Sequence, residues 1–519
     1  MIRWQRWVAT SAAIVLAVAL SGCGALAART HSDQELHVAL GAQPTTLDEQ
    51  MTTAEPTKYV MRNVFETLVT TDADNKVVPM LASAITESAD RTSYRFDLRR
   101  GVHFHNGAEM TSADVVASMT RWLKLSPAAK SVLGKDATFV ADGPYAVVLK
   151  MKAPAVGALG VMATHKQFPA IMPAAIAQNA APTGVTSFIG TGPYKLVEWK
   201  KDASIHLTKF DGYSARSEAP SGFAGRRDAL IRDVYFDIVT DPSTQLAGLQ
   251  TGKYDILASA SYDTYDWLKN GKDFTVTSYN DGDVVFAFNI KNGVFDTPQK
   301  RQAVQLGVNS SDIMNVAFAD KDVYDLKAGY MSVDQPDWYT NDGADTYNQG
   351  DTARAGKMLR EAGYHGEPVT LLTVNDDPFQ YKSAVVLQQQ LKEMGVNVTL
   401  RTGDWATYSA LSLDPKGYDI TTAGITTVSD PTQLSYLGDS WPVYAQSPVV
   451  ADAFTKIQRS ADLKDARDIW VNTQKYLRED YVPVIMAGEF KGVSAANKDV
   501  HGFTTKDGPI IWNTTLGDH

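Results

Sequence analysis

Val369-Thr370-Leu371-Leu372-Thr373-Val374 is a short, mostly apolar run, followed by an apolar stripe at Ala384, Leu387, Leu391 and Met394. Gly395 closes the stripe, and Val396, Val398 and Leu400 then alternate with polar neighbours. The first run reads as an interior strand, the three- and four-residue spacing as a helix, and the alternation as a second strand. Strand, helix and strand in that order make the unit of a parallel sheet, so the fold class is α/β.

Working outward, the same signals recur. Asp351 to Ala362, ended by Gly363, predicts a helix. Asp241-Pro242-Ser243 is an N-cap acid with proline at the first helical position, and Gly252 stops the helix before a strand at Tyr254–Leu257. Thr297-Pro298 repeats that opening ahead of Arg301–Val308. Tyr94, Phe96 and Leu98 alternate with Arg95, Asp97 and Arg99, a half-buried strand. After Gly101, Thr111-Ser112-Ala113-Asp114 starts a helix in the manner of a capping box, with Val115, Met119, Trp122 and Leu123 on one face. Further strands are expected at Glu35–Leu40, Tyr145–Met151, Tyr194–Trp199 and Ser204–Thr208. The spacing of Val60, Met61, Val64, Phe65 and Leu68 predicts a helix over 58–68.

The amino-terminal end carries a different message. Arg3 and Arg6 precede an apolar stretch from Trp7 to Leu20, followed by Ser21-Gly22-Cys23. That is a charged region and a hydrophobic region of signal-peptide length, too short for a convincing membrane span. Cys23 is the only cysteine of the 519 residues, so no intramolecular disulfide is possible. Removing residues 1–22 takes away two arginines and no acids, and the net charge falls from −10 to −12. Such a balance argues against nucleic-acid binding. Apolar content of 44% with 21% charged residues is that of a globular chain.

Leu20-Ser21-Gly22-Cys23 resembles the lipobox of bacterial lipoproteins. The resemblance implies cleavage before Cys23 and lipid attachment to it, placing the protein on the outer face of a bacterial cell membrane; the other reading is an ordinary secretory signal. Residues 23–32 would be the tether. Several blocks together resemble the family-5 solute-binding proteins of ABC importers, the dipeptide- and oligopeptide-binding group. They are Phe65-Glu66-Thr67-Leu68; Phe96-x-Leu98-Arg99-x-Gly101-Val102-x-Phe104-His105-Asn106-Gly107 with Thr111-Ser112-Ala113-Asp114; and Gly190-Thr191-Gly192-Pro193-Tyr194-Lys195-Leu196. Weaker echoes are Leu249–Asp255, Phe288-Asn289 with Phe295-Asp296, Arg301-Gln302-Ala303, Tyr418-Asp419 and Asp430-Pro431. Their order through the chain is the family's order.

The resemblance implies a two-lobed, periplasmic-binding-protein-like fold with an extra inserted domain and a ligand cleft between the lobes. Mapped here, lobe I is 33–70, 187–282 and 482–519, the inserted domain 71–186, and lobe II 283–481. Two strands would cross between the lobes near Asp281–Phe286 and Asp480–Val484, with Val284, Val285 and Phe286 offering backbone contacts to a ligand. Trp405 matches a family position on the wall of the cavity, with Tyr408 one turn on. Glu55 and Tyr59 lie where the early lobe-I segment of relatives approaches the ligand. Peptide-binding relatives often place an aromatic and an acid ahead of the Asp430-Pro431 pair. Here the stretch is Ala423-Gly424-Ile425-Thr426-Thr427-Val428-Ser429. Ile425 takes the aromatic position, and either Asp430, or an acid of lobe I such as Glu55, would meet a ligand amine, or the ligand carries no amino terminus; to a non-peptide solute Thr426, Thr427 and Ser429 would be neutral donors.

The expected function is capture of di- or oligopeptides by a monomeric, membrane-anchored receptor that hands them to permease subunits. A non-peptide solute, an oligosaccharide or a metal chelate such as nickel, is the alternative, as is a scaffold of the same fold that no longer transports. No G-x-S-x-G, H-E-x-x-H or paired-cysteine motif is present, so neither an enzyme nor a cofactor is expected. His103 and His105 share a face of an extended stretch but have no adjoining ligand cluster, and are read as structural rather than metal-binding.

Overall fold

Two long antiparallel strands, Phe274–Phe288 and Val484–Asn497, run side by side through one eleven-stranded sheet. The computed structural model describes residues 32, 34–414, 416–438, 447–460 and 462–517. The signal sequence, Cys23 and nearly all of the tether therefore lie outside the described residues. Among the described residues, no helix is long and apolar enough to cross a membrane.

On one side of the long pair the sheet continues through Ile256–Leu257, Glu35–Leu40, Asp233–Ile238, Ser204–Lys209 and Tyr194–Lys200. On the other it continues through Ile420–Thr426, Val369–Val374 and Val398–Gly403. Val369–Val374 and Val398–Gly403 are parallel, Val369 opposite Val398, with helix Pro378–Glu393 between them in sequence. The strand–helix–strand reading thus holds. The first half of one long strand and the second half of the other (274–280 against 491–497) belong to one lobe. Gly282–Phe288 pairs on its far edge with Ile420–Thr426, in the other lobe.

Where the long strands pass between lobes, their register slips between Asn280 and Gly282 and again between Val284 and Val285. An unpaired residue in a ladder bends and twists it, which suits a passage between two bodies. The first expected crossing, near 281–286, coincides with these slips. The second does not lie at Asp480–Val484: Leu477–Tyr481 is a π-helical turn, and the strand begins only at Val484. In an antiparallel pair the residues facing Asn280 and Gly282 are Lys491 and Phe490, so the passage falls there.

The helix expected over 58–68 is shorter, Glu55–Met61. Asn63 Nδ2 donates to the carbonyls of Tyr59 and Val60, and Arg62 Nε to that of Lys58, so side chains satisfy the helix end. The next carbonyls are taken by another segment: Gly192 N donates to Val64 O and Tyr194 N to Asn63 O, both at 3.0 Å. Val64, Phe65 and Leu68 stay buried as the pattern required, but from a turn and irregular backbone. His105 locks the same turn. Its Nδ1 accepts from Gly190 N and its Nε2 donates to Gly192 O, while burial pushes its pKa down to about 4.

A separate four-stranded antiparallel sheet, in the order Ala82–Glu87, Ser93–Leu98, Ala146–Lys150 and Thr138–Ala141, has its own core. Tyr94, Phe96 and Leu98 point into it, and helix Ser112–Leu125 covers it with Val115, Met119 and Trp122. The capping box is realised in full: Thr111 and Asp114 exchange backbone and side-chain bonds.

Candidate ligand-binding site

The lobes and the four-stranded unit close around a cavity of about 780 Å³. It is walled by the segments 73–77, 156–166, 278–280, 332–338, 427–430 and 504–507. That volume lies within the roughly 300–1,000 Å³ of small-ligand sites. Loops supply nearly all of the wall, while the long strand supplies Ser278, Tyr279 and Asn280 at its floor. Direct bonds span the cleft. Asn75 Nδ2 donates to Asp334 O at 2.9 Å, Lys166 Nζ to Thr427 O, and Gln458 Nε2 to Ser131 O at 3.2 Å. Val156 N also donates to Gln458 O.

Charges gather at one end. Lys58 Nζ bonds Asp507 Oδ1 at 2.7 Å and lies 3.9 Å from Glu55. Arg62 donates to the carbonyls of Lys506 and Asp507. Tyr59 and Tyr279 share a hydroxyl hydrogen bond of 2.9 Å. Burial pushes Asp281 up to about 8, aided by the neighbouring charge of Glu55 and opposed by Lys58. Burial likewise pushes Lys166 down to about 8. His165 is buried beside Phe223, its rings 3.7 Å apart at their centres, and burial holds its pKa well below the ordinary value.

The residues singled out in the sequence separate into two groups. Thr427 and Asp430 line the cavity, with Tyr59 directly behind Tyr279 and Glu55 in the charged end. Asp430 is already engaged: its carboxylate accepts from Thr432 N, Thr432 Oγ1 and Gln433 Nε2, capping a short 3₁₀ turn. Val284, Val285 and Phe286 are fully buried, with both backbone edges paired inside the sheet, so they leave no open edge for a ligand. Ile425 packs against the core of the second lobe and Thr426 is exposed beside it. Trp405 is 57% exposed, stacked on Tyr408, and outside the cavity wall. Tyr408 is buried and donates to Thr422 O. The tryptophan that does line the cavity is Trp338. Sequence reasoning missed it, together with Lys166, His165 and Tyr279, because each sits in a loop or strand with no local pattern to mark it.

These charges set a pH dependence. Burial holds Glu49 and Asp281 at about 8 and Asp283 at about 7, far above ordinary carboxylates. Each contributes stability that is complete below about pH 4 and lost as pH rises through its folded value. The depressed histidines act oppositely, but only below about pH 6.5, where unfolded histidine is charged. Between about pH 6.5 and 8 the acids act alone, so the melting midpoint is expected to fall across that window. Scanning calorimetry at the two ends checks it; a midpoint that climbs would remove the buried acids as the cause.

A two-lobed body around a cavity of mixed polar and apolar lining, its lobes joined by two strands, is the architecture of a solute receptor. The family description "Bacterial extracellular solute-binding proteins, family 5 Middle" matches residues 76–442. The chain belongs to that family, the solute-binding proteins of ABC importers, which are receptors and not an enzyme family. The probable peptide ABC transporter periplasmic-binding protein y4tO of Sinorhizobium fredii is 26% identical over 536 residues, 97% of each chain. The glutathione-binding protein GsiB of Salmonella typhimurium is 28% identical over 426 residues, 80% of this chain and 76% of that one. Among solved structures, the binding protein AgaA of A. tumefaciens R10, in complex with agropinic acid, has a TM-score of 0.75 at 25% identity. It covers 93% of this chain and 99% of its own.

Proposed function

We propose that this protein captures short peptides or peptide-like amino acid conjugates between its lobes and delivers them to the permease of an ABC importer. Lipid on Cys23 would hold it at the outer face of the cell membrane. Lobe I would comprise 33–70, 187–282 and 491–519, the inserted domain 71–186 and lobe II 283–490, the return boundary following the second strand passage. The observation that carries the reading is the cavity of about 780 Å³ between the lobes with both signs of charge at one end, which suits a zwitterionic solute of a few residues. Relatives named for peptide and glutathione binding support it. The remaining N–H donors of Lys166 then serve an anionic group, and the Thr427 and Ser429 hydroxyls the ligand's amides.

Trp338 gives the test its signal. Titrating the protein with short peptides and glutathione is expected to change its fluorescence and raise its melting midpoint, and Trp338→Phe is expected to remove most of the fluorescence change while binding persists. Mass spectrometry of whatever co-purifies identifies the natural solute. If peptides and glutathione leave the midpoint unmoved while an oligosaccharide or a metal chelate raises it, the peptide reading is lost and the non-peptide one stands.

A further inference from the structure

Three stretches of the cavity wall change from charged to apolar in the same direction. Two of them run alongside each other. Lys166 Nζ donates to Thr427 O, a Cβ on Gly160 would stand 3.4 Å from Ser429 Oγ, and one on Gly157 would stand 2.8 Å from Asp430 Oδ2. The third is tied to the same line: Asn75 Nδ2 donates to Asp334 O at 2.9 Å, and Gln335 Nε2 to Val428 O. The end with Lys166, Thr427 and Asp334 also holds Lys506, whose Nζ donates to Asn75 Oδ1 at 2.6 Å. Val156, Leu159, Pro336, Trp338, Val428 and Leu463 line the other end. Val156 and Val428 pack with Trp338 in one apolar cluster. Arg467, one turn after Leu463, donates to the carbonyls of Pro336 and Tyr339 and holds that helix against the loop. The acids at this end are not free to act: Asp430 is spent on its cap, and Asp337 is exposed at the rim, where water screens it.

We propose that the helix Ala158–Met162, part of the four-stranded unit and not of either lobe, selects one bulky apolar group on the solute, an aromatic or branched aliphatic side chain, and that Gly160 sets the room for it. This rests on the reading of the cavity as a peptide site. The helix sinks Ala158, Val161 and Met162 into the core of the four-stranded unit and leaves Gly157 and Gly160 on the cavity wall. Gly160 lies in ordinary helical backbone, so glycine supplies space there and not conformational freedom. Among the described residues, a Cβ on Gly160 would touch only the Ser429 side chain across the gap. A side chain at 160 and an apolar group on the solute therefore compete for the same volume. Taking apolar surface out of water is favourable there, whereas a polar group would lose its water without gaining a partner. The solute's charged groups stay at the Lys166 end, and its apolar group lies over Gly160 against Val428 and Trp338.

The experiment uses the full chain reconstituted into phosphatidylcholine vesicles, so that no detergent competes for an apolar subsite. Two sets of alanine tripeptides are offered together, one carrying a single phenylalanine or leucine at each position in turn, the other a single serine. Retained peptides are measured by mass spectrometry. The wild type is expected to favour the apolar set at one position by about tenfold or more. Gly160→Leu fills the space and is expected to bring that ratio down toward one. Calorimetry adds a second readout: the heat capacity change on binding is expected to be more negative for the preferred apolar peptide than for its serine counterpart, and this difference to vanish in Gly160→Leu. A glycine that mattered only for folding would leave both the ratio and the difference in place. A wild type that retains both sets equally overturns the subsite. A wild type that retains neither set overturns the peptide reading and the subsite with it, a different result. An undiminished ratio in Gly160→Leu overturns the role of the helix. If Gly160→Leu does not fold or loses both sets alike, Leu463→Asp, at the exposed first position of its helix, takes its place. Loss of the ratio there supports the apolar subsite, and a full ratio overturns it.

Discussion

Lys327→Met is expected to destabilise the protein by about 3–5 kcal/mol at pH 8, the cost of stranding buried charge. The Lys327 ammonium lies 2.8 Å from Asp283 Oδ1, 3.7 Å from Glu489 Oε1, and donates to Met331 O at 2.8 Å. Asp283 and Glu489 face each other across the two long strands, so the lysine is all that separates two buried acids. Burial raises both carboxyls, Asp283 to about 7. Removing the cation leaves their repulsion uncompensated wherever both are ionised. The sign with pH follows: the loss is largest above pH 7 and shrinks toward pH 5, where the acids take up protons. Urea unfolding at both pH values measures it, and Asp283→Asn added to Lys327→Met is expected to recover part of the loss. An equal loss at both pH values would show that the lysine matters for packing and not for charge.

Gly190→Ala is the second large effect. A Cβ there would stand 2.0 Å from Val64 O and 2.7 Å from Phe65 Cδ1, and one on Gly192 would stand 2.5 Å from Asn63 O. Because the obstacle is backbone already hydrogen-bonded to this turn, relief requires moving the segment after helix Glu55–Met61 away from it. A destabilisation of about 3 kcal/mol, the upper range for overpacking, is expected. Gly101→Ala is the control. Its φ is +67° and nothing lies within 4 Å of its Cβ, so only the left-handed backbone is penalised, by about 1–2 kcal/mol. Urea midpoints that come out equal would contradict the close-approach argument. Gly190→Ala should also release the His105 ring, whose imidazole pKa would move back up toward its ordinary value.

These two residues mark what the chain discloses before it folds. The 190–196 block could be read as a turn that sets a strand, and Tyr194–Lys200 is that strand. Why glycine is needed could not be read, because the carbonyls it avoids are more than a hundred residues away. Helix starts with Asp241, Thr111 and Asp351 were legible since a cap acts on its own first turn. The parallel unit at 369–403 was legible because its first strand is apolar and buried and its second begins by alternating Val398 and Leu400 with polar residues. By contrast, Phe274–Asn280 is polar along a strand of 15 residues, and its length follows from pairing with Val484–Asn497 far off in sequence. The helix expected over 58–68 ran too far because periodicity reports which residues are buried, not how Gly192 and Tyr194 take the carbonyls of Val64 and Asn63 just past Met61. The cavity was least legible of all. Lys166, Trp338 and Tyr279 are single residues in unremarked surroundings, and only the meeting of three bodies gathers them on one wall.

The bonds from Asn75 to Asp334 and from Gln458 to Ser131 join protein to protein and involve no solute atom. They bias the protein between open and shut populations before a ligand arrives. A ligand that binds the shut form has an apparent dissociation constant equal to the intrinsic one divided by the shut fraction. Substitutions at Gln458, outside the cavity wall, therefore scale the affinity for every ligand by one common factor and leave their ranking intact. Substitutions inside the wall reorder the ranking. Evolution can thus set how tightly this receptor holds its cargo, and how readily it lets go, separately from what it chooses to hold.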